Sequence, residues 1–183
     1  THDGKLYHYT SGRLETVGKY EFTKGTGKVF EARIKMEQGA GYFPAFWLSP
    51  TMTPPEIAEY LKNSIPSSLS TSWPFGGEVD FLEYWDAANS FQSACHWSAK
   101  YYTGDDITWR KRFYITRHTP LDVTEWHTYG CVWNDDHIDY YCDGDIIWTV
   151  YTGHITDVCT ENMNPFLSDY APKKIVLNVA AKT

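Results

Sequence analysis

Nine stretches of this chain are short, often alternate apolar with polar residues, and mostly stop at Gly, Pro, Asn or Asp. Alternation with a period of two is what a strand with one buried face requires, and those terminal residues favour turns. The stretches are KLYHYTSGRLET, KVFEARIKME, YFPAFWLS, EVDFLEYW, FQSACHWSAK, KRFYITRHT, HTYGCVWN, HIDYYCDGDIIWTVY and KIVLNVAAK. In VWNDDHIDYYCDG two alternating runs flank a polar turn, Asn134 to His137, which predicts a hairpin; Asp143-Gly144 marks a second tight turn. Only PPEIAEYLKNS, Pro54 to Ser64, reads as a helix, with Pro at its start and Ile57, Tyr60 and Leu61 on one face. Many short strands and one short helix specify an all-β sandwich or jelly roll. A length of 183 residues suits one such domain with a full core.

The composition narrows what that sandwich can bind. Aromatic residues make up 17% of the chain, including 8 Trp and 14 Tyr, more than a core needs. Each such ring has an apolar face and, in Trp and Tyr, a polar edge, a combination suited to flat, hydroxylated ligands. A net charge of −7 argues against nucleic acid or an anionic membrane as partner, because phosphates are neutralised by basic surfaces. The longest basic run, Arg110-Lys111-Arg112, reads as a solvated strand end. No stretch of 18 apolar residues is present to span a membrane. The cysteines, Cys95, Cys131, Cys142 and Cys159, contain no C-x-x-C, so a zinc site is not expected; one disulfide is allowed, with partners unassigned.

The stretch GGEVDFLEYWD places Glu78, Asp80 and Glu83 in what is otherwise a buried strand. Glu78 and Asp80 share a face by alternation, whereas Glu83 falls on the other. One β-bulge near Phe81 or Leu82 would swing Glu83 back to join them. The two Glu would then stand about four strand steps apart, roughly 13 Å between Cα atoms at ~3.3 Å each. Their side chains, leaning together, could approach the ~5–5.5 Å carboxyl separation of a retaining glycosidase. Clustered acids raise the pKa of at least one member. Glycoside cleavage needs such a set: one carboxylate to attack the anomeric carbon and one protonated acid to assist the leaving oxygen. Asp80, between them, can share a proton with Glu78.

GGEVDFLE, preceded by SWPF, resembles the E-x-D-x-x-E signature of glycoside hydrolase family sixteen in its bulged, laminarinase-like form. Other blocks agree in order: SGRLETVGKYEFTKGTGKVFEARIKM resembles the family's entry strands, and GYFPAFWLSP its G-x-W-P-A-F-W-x block, with Phe43 at the usual Trp. EWHTYGCVWNDDHIDYYCDGD resembles its W-H-T-Y…W…I…Y-x-D-G strand pair, and IVLNVA its late core strand. The resemblance implies a concanavalin-like β-jelly-roll of two curved antiparallel sheets, with a substrate cleft on the concave face. By motif position it makes Glu78 the nucleophile, Glu83 the general acid/base and Asp80 the assisting acid, with no metal or organic cofactor. The six-residue motif looks like that of laminarinases, β-1,3(4)-glucanases and red-algal galactanases; the WP…GE lead-in and PAFWL favour the glucanases. The chain begins near the family's SGR block and stops just after LNVAAKT. One domain over residues 1–183 is therefore expected, short of the family's earliest strands and its closing strand.

The same resemblance nominates substrate-binding residues. Trp47 matches a Trp that floors the cleft beside the cleaved bond. Trp73 is placed as a rim stacking platform, and Trp85 shares the face of Glu83 if alternation resumes after the bulge. His96 lies on the strand next to the acids, in reach of Glu83 or a sugar hydroxyl, and Arg33 matches an Arg that reaches the cleft. Trp97 and Trp109 fit cleft or core, Trp126 and Trp133 fit structural positions, and Asn178 fits the cleft or a bulge cap. His2, His8, His118, His127, His137 and His154 show no ligand spacing. The expectation is a secreted, monomeric, retaining endo-β-1,3(4)-glucanase acting on polysaccharide. The rival expectations are a non-catalytic glucan-binding module, and a transglycosylase or galactanase of the same fold.

Overall fold

The computed structural model describes residues 3–6, 8–23, 27–63, 73–85, 89–103, 106–154, 164–167 and 171–181; the side chains of 54, 61 and 98–113 lie outside that description. Among the described residues ten strands follow in chain order: β1 (Gly12–Glu15), β2 (Lys28–Ile34), β3 (Tyr42–Pro50), β4 (Glu78–Glu83), β5 (Ser90–Thr103), β6 (Asp106–Pro120), β7 (His127–Trp133), β8 (Ile138–Cys142), β9 (Asp145–Val150) and β10 (Lys173–Ala181). The helix α1 spans Pro54–Leu61 between β3 and β4. It ends before the expected Ser64, and at its start the Glu56 carboxylate accepts the Thr53 backbone N–H at 2.6 Å and the Thr53 hydroxyl at 2.7 Å.

The strands form two antiparallel sheets, one of six in the order β1-β10-β3-β4-β5-β6 and one of four in the order β2-β7-β8-β9. This is the expected all-β jelly-roll sandwich. Chain neighbours do not always pair: β10 inserts between β1 and β3, so the ends of the chain meet in one sheet. The first expected strand narrows to Gly12–Glu15; ahead of it Leu6 and Tyr9 stay 72% and 65% exposed. The Asn134–His137 hairpin is present, with Trp133 opposite Ile138 and the Asn134 N–H donating to the His137 carbonyl at 2.8 Å. Between β8 and β9, Asp143 and Gly144 both take positive φ (52° and 89°), a turn whose twist matches that of the strands it joins.

The inward faces of the two sheets make the core. Phe81 from the larger sheet stacks on Phe30 of the smaller at 5.9 Å and meets Phe46 edge-on at 4.7 Å. Phe91 meets Tyr129 edge-on at 5.0 Å, and Trp133 and Tyr140 are fully buried. The Tyr140 hydroxyl crosses the sandwich to donate to the Ala94 carbonyl at 2.9 Å, satisfying a buried donor that would otherwise cost about 1–3 kcal/mol. Cys95, Cys131 and Cys142 are buried free thiols, so the allowed disulfide does not form among the described cysteines; Cys159 lies outside the described residues.

Gly130 on β7 has a packing reason. A Cβ there would lie 2.2 Å from the Phe30 carbonyl oxygen and 2.7 Å from the Tyr141 hydroxyl, which donates to Glu31 at 2.8 Å. Gly130→Ala should therefore lower stability by about 1–3 kcal/mol, read from the midpoint of urea unfolding, because backbone and not only a side chain must move.

Candidate active site

The acids sit on β4, between β3 and β5. Trp47 pairs with Asp80 and Phe46 with Leu82, so Phe81 has no partner on β3. On the other side Ala94 pairs with Asp80 and Gln92 with Glu83, leaving Ser93 opposite both Phe81 and Leu82. That is the expected bulge. Phe81 and Leu82 both enter the core (1% exposed each), two successive residues on one side, and Glu83 returns to the face of Glu78 and Asp80. The buried Ser93 hydroxyl donates to the Phe81 carbonyl at 3.0 Å, which satisfies a backbone group the bulge releases from the ladder. Tyr84 then points inward (1% exposed) and Trp85 outward, so alternation resumes.

Two adjoining cavities open over the three acids. One, of about 770 Å³, is lined by Glu78, Glu83, Trp73, Trp85, His96 and residues of β6; the other, of about 400 Å³, by Glu78, Asp80, Glu83, Trp47, Asn178 and Arg13. Glu78 and Glu83 belong to both, so a chain-like ligand lying through the two would cross the acids.

The surroundings of the two Glu differ. One carboxylate oxygen each from Glu78 and Asp80 and a ring nitrogen of His96 lie within 4.8 Å of one another. His96 Nε2 is 3.2 Å from Asp80 Oδ2 and 3.9 Å from Glu78 Oε1. Burial pushes the Glu78 carboxyl up to about 8, and the adjacent Asp80 charge adds to the rise; the Trp73 indole, donating to Glu78 Oε2 at 2.9 Å, and His96 pull the other way. Glu83 is held by Gln92, whose amide donates to Oε2 at 2.9 Å. The site thus pairs a crowded carboxyl dyad that retains a proton at neutral pH with a separate carboxyl on the same cleft wall.

The nominated tryptophans line these cavities. The Trp47 indole donates to Asn178 Oδ1 at 2.7 Å and its ring lies under the Arg13 guanidinium at 5.2 Å. Trp73 is 49% exposed and tilts against His96 at 5.6 Å; Trp85 packs between Phe43 at 5.7 Å and His118 at 6.3 Å. His96 is in the cleft, beside Asp80 and Glu78, and Gln92 donates to Glu83. Arg33 is a correction. It lies on β2 in the four-stranded sheet, where Phe30 faces inward and alternation turns Arg33 outward, away from the acids; it stacks on the 53% exposed Trp126 at 5.0 Å. Trp97 and Trp133 are core residues, whereas the side chains of Trp109 and Arg110-Lys111-Arg112 lie outside the described residues.

Sequence reading missed Gln92, Tyr114, Thr116, His118 and Arg13, all of which line the cleft. A signal existed for four of them. Tyr114, Thr116 and His118 alternate along β6, and the register sets Tyr114 opposite His96 and His118 opposite Gln92. A second trio, His127, Cys142 and Asp143, also brings potential metal-ligand atoms within 4.8 Å. There both His127 ring nitrogens face oxygens, Asp143 Oδ2 at 2.6 Å and the Asp122 carbonyl at 3.0 Å.

The chain is 26% identical over 149 residues to a β-glucanase from Rhodothermus marinus, a match over 81% of this chain and 45% of that protein. It is 25% identical over 141 residues to a keratan-sulfate endo-1,4-β-galactosidase from Sphingobacterium multivorum, over 77% and 28% of the two chains. The chain therefore spans less than half the length of these curated relatives. Among solved structures, the catalytic domain of an endo-1,3-β-glucanase (laminarinase) from Thermotoga petrophila shares the fold, with a TM-score of 0.61 at 23% identity over 92% of this chain and 57% of that one. The model of the glycosyl hydrolases family 16 matches residues 3–168, a span that takes in the bulged acid strand, its neighbours in the larger sheet and the whole of the smaller sheet, and the chain belongs to that family.

Proposed function

We propose that this domain is a retaining endo-β-glucan hydrolase that cleaves β-1,3- or mixed β-1,3-1,4-glucan by double displacement. The observation that carries the reading is the bulge at Phe81–Leu82, which puts Glu83 beside the Glu78–Asp80 dyad in a cleft open on both sides of the acids. Glu78 attacks the anomeric carbon while Glu83 protonates the departing glycosidic oxygen. Water, deprotonated by Glu83, then releases the sugar from Glu78 with the original configuration restored. Attack requires Glu78 to be charged. The Trp73 N–H, donating to Glu78 Oε2 at 2.9 Å, and the nearby His96 favour this charged form, against burial and the Asp80 charge, which favour the protonated one. The chain acts outside the cell as a monomer, where glucan polymers are found.

The test is the anomeric form of the first product. On laminarin or lichenan, proton NMR during the first minutes should show the β-anomer ahead of mutarotation; the α-anomer would exclude double displacement. A β-galactan is the second reading, favoured by the likeness to the Sphingobacterium galactosidase. Reducing ends released from agarose or carrageenan but not from laminarin would select it. No reducing ends and no lengthened chains from any of the four would leave a glucan-binding module, and product chains longer than the substrate would identify a transglycosylase.

A further inference from the structure

Lys173, the first residue of β10, is fully buried, yet among the described residues no carboxylate pairs with it. Its ammonium instead donates to three carbonyl oxygens: Gly76 at 2.6 Å, Pro165 at 3.0 Å and Ala171 at 2.6 Å. The rings of Trp133 and Phe166 lie 5.9 and 6.0 Å from it. All three N–H groups of the ammonium form are thereby used, which partly offsets the burial that pulls the Lys173 amino group down to about 7.

The place of those carbonyls matters. Gly76 belongs to the turn Trp73–Gly77, which feeds directly into Glu78 and closes with the Gly77 N–H donating to the Pro74 carbonyl at 2.9 Å. The turn is wedged. A Cβ on Gly76 would meet Pro50 at 2.5 Å, and one on Gly77, whose φ is +74°, would meet Pro165 at 2.8 Å. Lys173 ties this turn to the 164–167 segment, while its own backbone is bonded in both directions to Phe22, at 2.7 and 2.8 Å. At the other end of the turn, the Trp73 indole donates to Glu78 Oε2.

We propose that Lys173 is a positioning residue for Glu78, acting through the Gly76 carbonyl to hold the Trp73 indole against the Glu78 carboxylate. The proposal rests on Glu78 being the attacking group, and the experiment separates the two ideas. Lys173→Met keeps the length and removes the donors. It should lower kcat on laminarin by about 10²-fold with KM moving much less, since misplacement by an ångström acts on the reacting geometry. In a double-mutant cycle with Trp73→Phe, the double variant should lose no more than Trp73→Phe alone; losses that multiply would mean that Lys173 does not act through Trp73 and would overturn the proposal.

A second arm needs no turnover. With indole-labelled tryptophan, the Trp73 N–H signal, assigned by its loss in Trp73→Phe, should shift in Lys173→Met while the other indoles hold. An unmoved signal overturns the proposal. If the wild-type protein cleaves no glycan, the functional reading fails and this arm still decides the role of Lys173. If Lys173→Met does not fold, the coupling is read in reverse: Trp73→Phe, a change in an exposed side chain, should displace the Lys173 ammonium signal in a lysine-labelled spectrum, because coupling is reciprocal. A Lys173 signal that stays in place overturns the proposal.

Discussion

Glu78→Gln and Glu83→Gln should each lower β-glucan hydrolysis by at least about 10³-fold, measured as reducing ends from laminarin, while the unfolding transition stays cooperative. The two losses arise differently. Gln at 78 cannot form the glycosyl ester; Gln at 83 cannot give or take the proton. A small nucleophile tells them apart. Azide should restore turnover of an activated aryl glucoside by Glu83→Ala, because it attacks the ester on Glu78 without needing a base and yields the β-glucosyl azide. In Glu78→Ala no such ester forms, so any azide product must come from direct displacement and carry the opposite configuration. Full activity in either Gln variant would refute the assignment. β-Glucosyl azide from Glu78→Ala and none from Glu83→Ala would exchange the roles of the two Glu.

The second large effect is on stability. Glu78→Gln should gain stability relative to wild type as pH rises from about 5 to 8, by a total on the order of a few kcal/mol. The folded Glu78 holds its proton up to about 8, against an ordinary value of 4.5, chiefly because it is buried and also because Asp80 stands beside it. Between those pH values the folded chain binds more protons here than the unfolded chain, so wild-type stability falls with pH across the window and levels off above it. Gln copies the neutral acid at every pH and does not suffer the loss. Urea unfolding of both proteins at several pH values checks the prediction. A stability difference that is flat with pH would mean that Glu78 ionises in the folded protein as readily as in the unfolded one. The same dyad that makes the site chemically useful is thus a local cost to the fold, a trade expected at active sites.

Much of this site was readable before any coordinates. The acid spacing demanded an extra residue at Phe81 or Leu82, because three carboxylates could share a face only if alternation slipped once, and both side chains do enter the core. Trp85 followed from alternation resuming past the slip. Arg33 was misplaced for a reason of the same kind in reverse. Its side of β2 could be read locally, but the sheet to which β2 belongs could not, and in the four-stranded sheet the outward face looks away from the acids. His118 has no ligand spacing along the chain, yet it reaches the cleft through the pairing of β5 with β6, opposite Gln92.

Lys173 marks the limit most clearly. In KKIVLNVA nothing distinguishes it from Lys174, its neighbour, which reaches Glu15 at 3.1 Å. The two differ because β10 inserts between β1 and β3, which carries one lysine beneath the Trp73–Gly77 turn and leaves the other beside β1. Side-chain alternation, turns and the bulge are properties of a few consecutive residues, governed by backbone sterics over one or two peptide units, and they can be read along the chain. Which strands become neighbours, and so which carbonyls surround a buried lysine and which side chains of β6 face the acids, depends on contacts between residues as far apart as Gly76 and Lys173. Those contacts exist only once the two sheets have closed on their shared core.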